Sequence, residues 1–227
     1  MKSGRGLAYP LALGSSVRLQ GRIKECAELI DSGDRLLDIG CSSGWLADVA
    51  LRKGYHHYVG VDRLIHGPRR NENGAAFVEG SVLDLPFRSE SFDAVCLFDV
   101  IEHLPRASED RALREAHRVL SRGGRLYFSV PYASAIHAPL DPVWMLGHRH
   151  YPRAKARRLL ERAGFNVDRM FVAGGTIEAL DHIRLLVYKH VLRRQRPQVG
   201  WIDIMIERSH GRDHRLGMSL FVVASRC

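Results

Sequence analysis

Short apolar runs alternate with amphipathic stretches along the chain, and glycines punctuate them. Arg35–Ile39, Tyr58–Val61, Ala76–Glu79, Phe92–Phe98 and Arg125–Val130 read as buried strands. Between them Arg22–Ser32, Trp45–Lys53 and Ser108–Leu120 carry apolar residues near helical spacing. Gly33, Gly54 and Gly123-Gly124 are the expected stops, and Ser108 the expected N-cap. Pro152–Ala163 reads as a basic amphipathic helix closed by Gly164, and Phe165–Val172 and Met218–Ala224 as two further strands. Strands alternating with helices imply βαβ units, an α/β class and a mostly parallel sheet. Ligands of such sheets bind outside the carboxyl ends of the strands. Gly40 follows the first strand, Asp62 ends the second and Asp99 follows the fourth.

The pattern weakens in two places. Residues 1–20 read as a loosely ordered arm. Within a helical segment over 174–216, Thr176–Arg196 mixes Ile177, Leu180, Ile183 and Leu192 with His182, Arg184, Lys189 and Arg193. It predicts a basic amphipathic helix inserted before the last strand. Such a helix suits an anionic membrane surface, a dimer face or a cover over a pocket. No internal repeat or second domain is visible, so residues 1–227 read as one domain.

Composition changes this picture little. Lys and Arg outnumber Asp and Glu by 34 to 25, a net charge of +9. That surplus suits an anionic partner, but it is spread along the chain without the basic–aromatic blocks that track single strands. Nucleic acid is therefore not the expected partner. Cys26, Cys41, Cys96 and Cys227 show no CxxC pairing and read as free thiols in a reducing cytoplasm. No apolar run reaches the length needed to span a bilayer.

The strand-to-helix turn Gly40-Cys41-Ser42-Ser43-Gly44 carries the first chemical signal. Two glycines let a ligand approach the main chain closely. The turn lacks the GxGxxG dinucleotide pattern, and the chain has no GxxxxGK[ST] phosphate loop. Asp62 sits where a carboxylate takes both hydroxyls of a ribose, and Asp84 could accept from an exocyclic amine such as that of adenine. Ribose and adenine without phosphates point to an adenosyl ligand.

The ordered set DIGCSSG, VGVD, GSVLDLPF, FDAVCLFDVIEHLP and LSRGGRLYFSVP resembles the class I S-adenosylmethionine-dependent methyltransferases, and among them the group that includes quinone-biosynthesis enzymes. The resemblance covers roughly residues 24–173. It implies a Rossmann-like three-layer sandwich whose seven-stranded sheet is mostly parallel with an antiparallel last strand, Met218–Ala224. It implies S-adenosylmethionine as cofactor, with S-adenosylhomocysteine as product. Asp38, Gly40, Cys41, Ser42 and Gly44 would surround its methionine part, and Asp62 would bind the ribose. Leu83 and Asp84 would flank the adenine, and Phe98 and Asp99 would close the pocket near the sulfonium. Arg63 is counted with this cofactor-binding set.

Asp99-Val-Ile-Glu102-His103 is similar to a run that holds a divalent metal in some quinone O-methyltransferases, and to runs in relatives that use none. No metal is expected here. His103, or His148 in the stretch that faces the substrate mouth in the family, is the expected base. Trp144 and Met145 are candidates to line the acceptor pocket. The acceptor itself is expected to be small or lipid-like, with peripheral membrane contact and either a monomer or a homodimer left open. Two other readings remain at this point: an RNA or protein methyltransferase, and a non-catalytic module that keeps the cofactor pocket.

Overall fold

The computed structural model describes residues 19–65, 69–71, 73–134, 149–194, 197, 199–210, 213 and 217–227. Its strands are β1 (Arg35–Ile39), β2 (His57–Asp62), β3 (Arg69–Arg70), β4 (Ala76–Glu79), β5 (Phe92–Phe98), β6 (Leu120–Pro131), β7 (Phe165–Ala173) and β8 (Ser219–Arg226). They form one sheet in the order β3-β4-β2-β1-β5-β6-β8-β7. Seven strands make the body, and β3 is a two-residue antiparallel edge. β8 runs antiparallel to both β6 and β7, so the strand closest to the C-terminus is the reversed one.

Helices α1 (Gly21–Leu29), α2 (Leu46–Arg52), α3 (Glu109–Val119), α4 (Arg153–Arg162), α5 (Thr176–Leu186) and α6 (Gly200–Arg208) complete the described elements, with a 3-10 turn at Ile101–His103. Period-two alternation sends successive side chains to opposite faces of the sheet. Leu37, Ile39, Val95, Leu97 and Phe128 pack with Leu113, Ala116 and Leu160 of α3 and α4. Leu36, Tyr58, Cys96, Tyr127 and Phe221 pack with Cys26, Leu46 and Ala50 of α1 and α2. Helices on both faces explain why these strands read as continuous apolar runs.

Three local expectations change. Ser108 stands at the N-cap of α3, but its Oγ donates to the Pro105 carbonyl at 2.6 Å, so its hydroxyl closes the preceding turn rather than capping the helix. α3 ends at Val119, and Gly123-Gly124 lies inside β6, where the β5–β6 register shifts. There a Cβ on Gly124 would come 2.9 Å from the Asp93 carbonyl, so glycine permits a close backbone approach. The segment read as one helix over Thr176–Arg196 is α5 followed by a π turn over Val187–Val191. The chain leaves helical geometry ahead of Pro197, which cannot donate to a continuing helix. No helix among the described residues is long and apolar enough to cross a membrane.

Candidate active site

The turn between β1 and α2 is fastened to the end of β2. Gly40 and Cys41 both donate to the Val61 carbonyl, at 2.7 and 3.3 Å, and Gly44 donates to the Cys41 carbonyl at 2.8 Å. Gly40, Ser42 and Gly44 all take positive φ, at +76°, +49° and +75°. Space is as restrictive as conformation: a Cβ on Gly40 would meet Val100 Cγ2 at 2.5 Å, and one on Gly44 would meet the Phe77 ring at 2.6 Å. Cys41 is buried against Gly60, where a Cβ would fall 2.7 Å from its sulfur. Burial pushes its thiol pKa up, so it acts as a small packing residue.

Asp62 holds the turn from the other side. Its Oδ2 accepts from the Ser42 N–H at 3.0 Å and its Oδ1 from the Leu64 N–H at 2.9 Å. Each carboxylate oxygen keeps a further acceptor site. Arg63 is exposed beside it. The Asp62 carbonyl also receives the Gly80 N–H at 3.2 Å, which draws the loop after β4 towards the same corner. In that loop Asp84 N–H donates to the Ser81 carbonyl, leaving Asp84 exposed and Leu83 half-buried.

Asp38 is directed to the same face as Leu36 and meets Tyr58, whose hydroxyl donates to Oδ2 at 2.6 Å. Burial, opposed by that hydrogen bond and helped by the charge of Asp62, pushes the Asp38 carboxyl up to about 7. Parallel register places Asp38 beside Gly60 on one side and Cys96 on the other, and the residue is buried.

At the end of β5, half-buried Phe98 leads into Asp99, which takes φ +53° and donates its N–H to the Ser129 carbonyl at 3.0 Å. Arg22 of α1 reaches Asp99 Oδ2 at 3.3 Å, while Oδ1 is buried with no hydrogen-bond partner. The 3-10 turn then buries Glu102 to 4% exposure, and its Oε2 also has no partner. Burial first, and then the charge of Asp99, pushes the Glu102 carboxyl well up, against the pull of Arg22 and Arg149. His103 is half-exposed, its Nε2 3.9 Å from Glu102 Oε1, and partial burial lowers its pKa. Among the described residues no cluster of three or more His, Cys, Asp or Glu could hold a metal ion.

Sequence reasoning passed over Arg22, Tyr58 and Arg149. Arg149 donates to the Ile101 carbonyl at 2.5 Å and the Tyr151 hydroxyl at 3.1 Å, and pairs with Glu109 at 3.4 Å, bracing the turn that carries Glu102. Tyr58 was legible: parallel pairing of β1 with β2 puts it level with Leu36, on the face of Asp38. Arg22 and Arg149 come from distant segments and had no local signal. His148, Trp144 and Met145 lie outside the described residues.

A second polar cluster sits beside Arg22. His210 lies between Glu178 Oε2, at 3.0 Å from Nε2, and Glu25 Oε2, at 3.4 Å from Nδ1, tying α5 to α1. Burial lowers the imidazole pKa, but the two carboxylates outweigh it and raise it to about 9. A raised folded-state pKa stabilises the fold fully below the ordinary 6.5, and this contribution disappears as pH climbs to about 9. Melting temperature is therefore expected to fall across that window, with Arg22 and the Lys24–Glu207 pair held constant. His210→Gln should flatten the slope; an unchanged slope in thermal scans would remove the cluster from the account.

A family model described as "Methyltransferase domain" matches residues 15–169. A ubiquinone/menaquinone biosynthesis C-methyltransferase of Rhizobium etli is 52% identical over 68 residues, which is 30% of this chain and 25% of that protein. The 27-O-demethylrifamycin SV methyltransferase of Amycolatopsis mediterranei is 30% identical over 134 residues, 51% of this chain and 47% of that one. These matches span about half or less of each relative. Among solved structures, an S-adenosylmethionine-dependent methyltransferase of Mesorhizobium loti superposes with TM-score 0.60 at 16% identity, covering 90% of this chain and 97% of the other. The [4+2]-cyclase SpnF superposes at 0.57 and 19% identity, covering 88% of this chain and 78% of the other. These structural likenesses show the fold, which alone does not specify chemistry.

Proposed function

Because this chain belongs to the methyltransferase-domain family, we propose that it transfers a methyl group from S-adenosylmethionine to a small or lipid-like acceptor. The observation that carries this reading is the Gly40–Gly44 turn, held open by three positive-φ residues and closed against the Asp62 carboxylate. The residues fit the cofactor chemically. Asp62 can accept two ribose hydroxyls while keeping its backbone donors. The loop at Leu83 and Asp84 stands at the same corner and suits the adenine. Unpartnered, buried Asp99 Oδ1 offers an acceptor and negative charge to a cationic group.

When bound, S-adenosylmethionine supplies an activated methyl on a sulfonium. The chain has then mainly to bind, orient and exclude water, and positioning alone supplies much of the rate of such a displacement. Arg22 and the Ser129 carbonyl fix Asp99 in place. Glu102, with its Oε2 buried and unpartnered, offers a hydrogen-bonding group to the acceptor. His103 is the described residue suited to remove a proton from an acceptor hydroxyl or carbon acid.

Calorimetric titration with S-adenosylhomocysteine tests the cofactor half: one-site saturable binding is expected, and absence of binding would contradict the reading. Tritiated methyl donor tests the acceptor half in a cell extract. Label should partition into organic solvent; label in acid-precipitable material sensitive to ribonuclease or protease would contradict a small acceptor.

A further inference from the structure

The segment between β7 and β8 exposes more apolar surface than its own packing uses. Ile206 of α6 is buried against α1, where a Cβ on Gly21 would meet it at 2.9 Å. The opposite face carries Trp201, Ile204 and Met205 at i, i+3 and i+4, all exposed, Trp201 to 62%. On α5 and the π turn, Leu180, Leu185, Val187 and Val191 are exposed as well, Val191 to 72%, with Leu192 next to it. From Val187 to Ile202 the sequence holds Lys189, Arg193, Arg194 and Arg196 and no acidic residue, and Arg193 and Arg194 are exposed.

We propose that this surface docks on an anionic lipid bilayer. Exposed aliphatic side chains beside an indole and an acid-free basic stretch match both layers of such a surface: apolar groups enter the acyl boundary while cations meet lipid phosphates. A second copy fits worse, because a two-fold interface would bury the basic stretch of both copies, and that stretch holds no carboxylate from Val187 to Ile202 to pair with it. Nucleic acid would complement the charge but leave Val191, Ile204 and Met205 unburied.

The surface is rooted beside the candidate active site. α5 leaves the carboxyl end of β7 through Gly174 and Gly175, and its Glu178 joins His210 and Glu25 of α1. α1 also supplies Arg22 to Asp99. Docking would therefore bring the acceptor side of the site to the bilayer and favour a lipid-soluble acceptor; this last step rests on the methyltransferase reading.

Flotation of the full chain with vesicles tests the proposal. The chain should float with phosphatidylcholine–phosphatidylglycerol vesicles, stay behind with phosphatidylcholine alone, and be released by high salt. Each arginine removed should lower partitioning about fivefold, so Arg193→Gln with Arg194→Gln should lower it roughly twenty-five-fold. Trp201→Ser should weaken it further, and both changes are at exposed positions that leave S-adenosylhomocysteine binding intact. No flotation, equal flotation on neutral vesicles, or variants that float like the parent would overturn the proposal. So would a dimer that Trp201→Ser dissociates in light scattering, or transfer RNA binding lost with the two arginines. Calorimetry on the same preparations separates the two readings: cofactor binding without flotation removes docking alone, and flotation without cofactor binding removes the methyltransferase reading alone.

Discussion

Asp62→Ala is expected to lower S-adenosylhomocysteine affinity about a hundredfold. On the proposed function the carboxylate accepts two ribose hydroxyls, and hydrogen bonds to a charged group are each worth about 1.5–3 kcal/mol net. Losing the pair costs roughly 3 kcal/mol, about two powers of ten in affinity. The same substitution frees the Ser42 and Leu64 N–H groups, which Asp62 holds at 3.0 and 2.9 Å. Both lie at an exposed turn where water can replace the carboxylate, so stability should fall by only about 1 kcal/mol. Calorimetry and thermal unfolding read the two effects separately. Affinity within threefold of the parent would mean that the ribose does not sit on Asp62.

Gly40→Ala is expected to damage fold and site together. The residue holds φ +76°, and a Cβ there would approach Val100 Cγ2 to 2.5 Å. Left-handed backbone costs a non-glycine residue roughly 1–2 kcal/mol, and overpacking a tight contact typically adds about 1–3 kcal/mol. Unfolding free energy should drop by about 2–5 kcal/mol. Val100→Ala removes the struck atom, so combining it with Gly40→Ala should recover the steric part and leave the backbone part. A double variant no better than Gly40→Ala would show that backbone conformation alone makes glycine necessary.

Why the turn was legible is clear from these two residues. Apolar strands with glycine or aspartate at their carboxyl ends identify where an α/β sheet binds ligands, and period-two alternation assigns each residue to a face. β4 and β5 keep the boundaries read from sequence, because both are short apolar runs with turn residues at each end. Gly123-Gly124 misled because glycine marks a helix stop and a close approach within a strand equally well. Arg22 and Arg149 were invisible because each acts by long-range contact with a turn far along the chain. α6 falls within the helical segment read over 174–216 but was not separated as a helix of its own, because Trp201, Ile204 and Met205 face outward and its apolar positions do not form the single buried stripe by which a helix's bounds are recognised.

On the proposed function, the β1–α2 turn is bent so that an adenosyl amino acid can lie along its backbone. A crystal structure of the full chain soaked with S-adenosylhomocysteine tests this most directly. Continuous density is expected along Gly40–Gly44, with the ribose hydroxyls on Asp62 and the adenine beside Leu83 and Asp84. Density elsewhere, with the ligand bound at another face of the sheet and none along Gly40–Gly44, would contradict it.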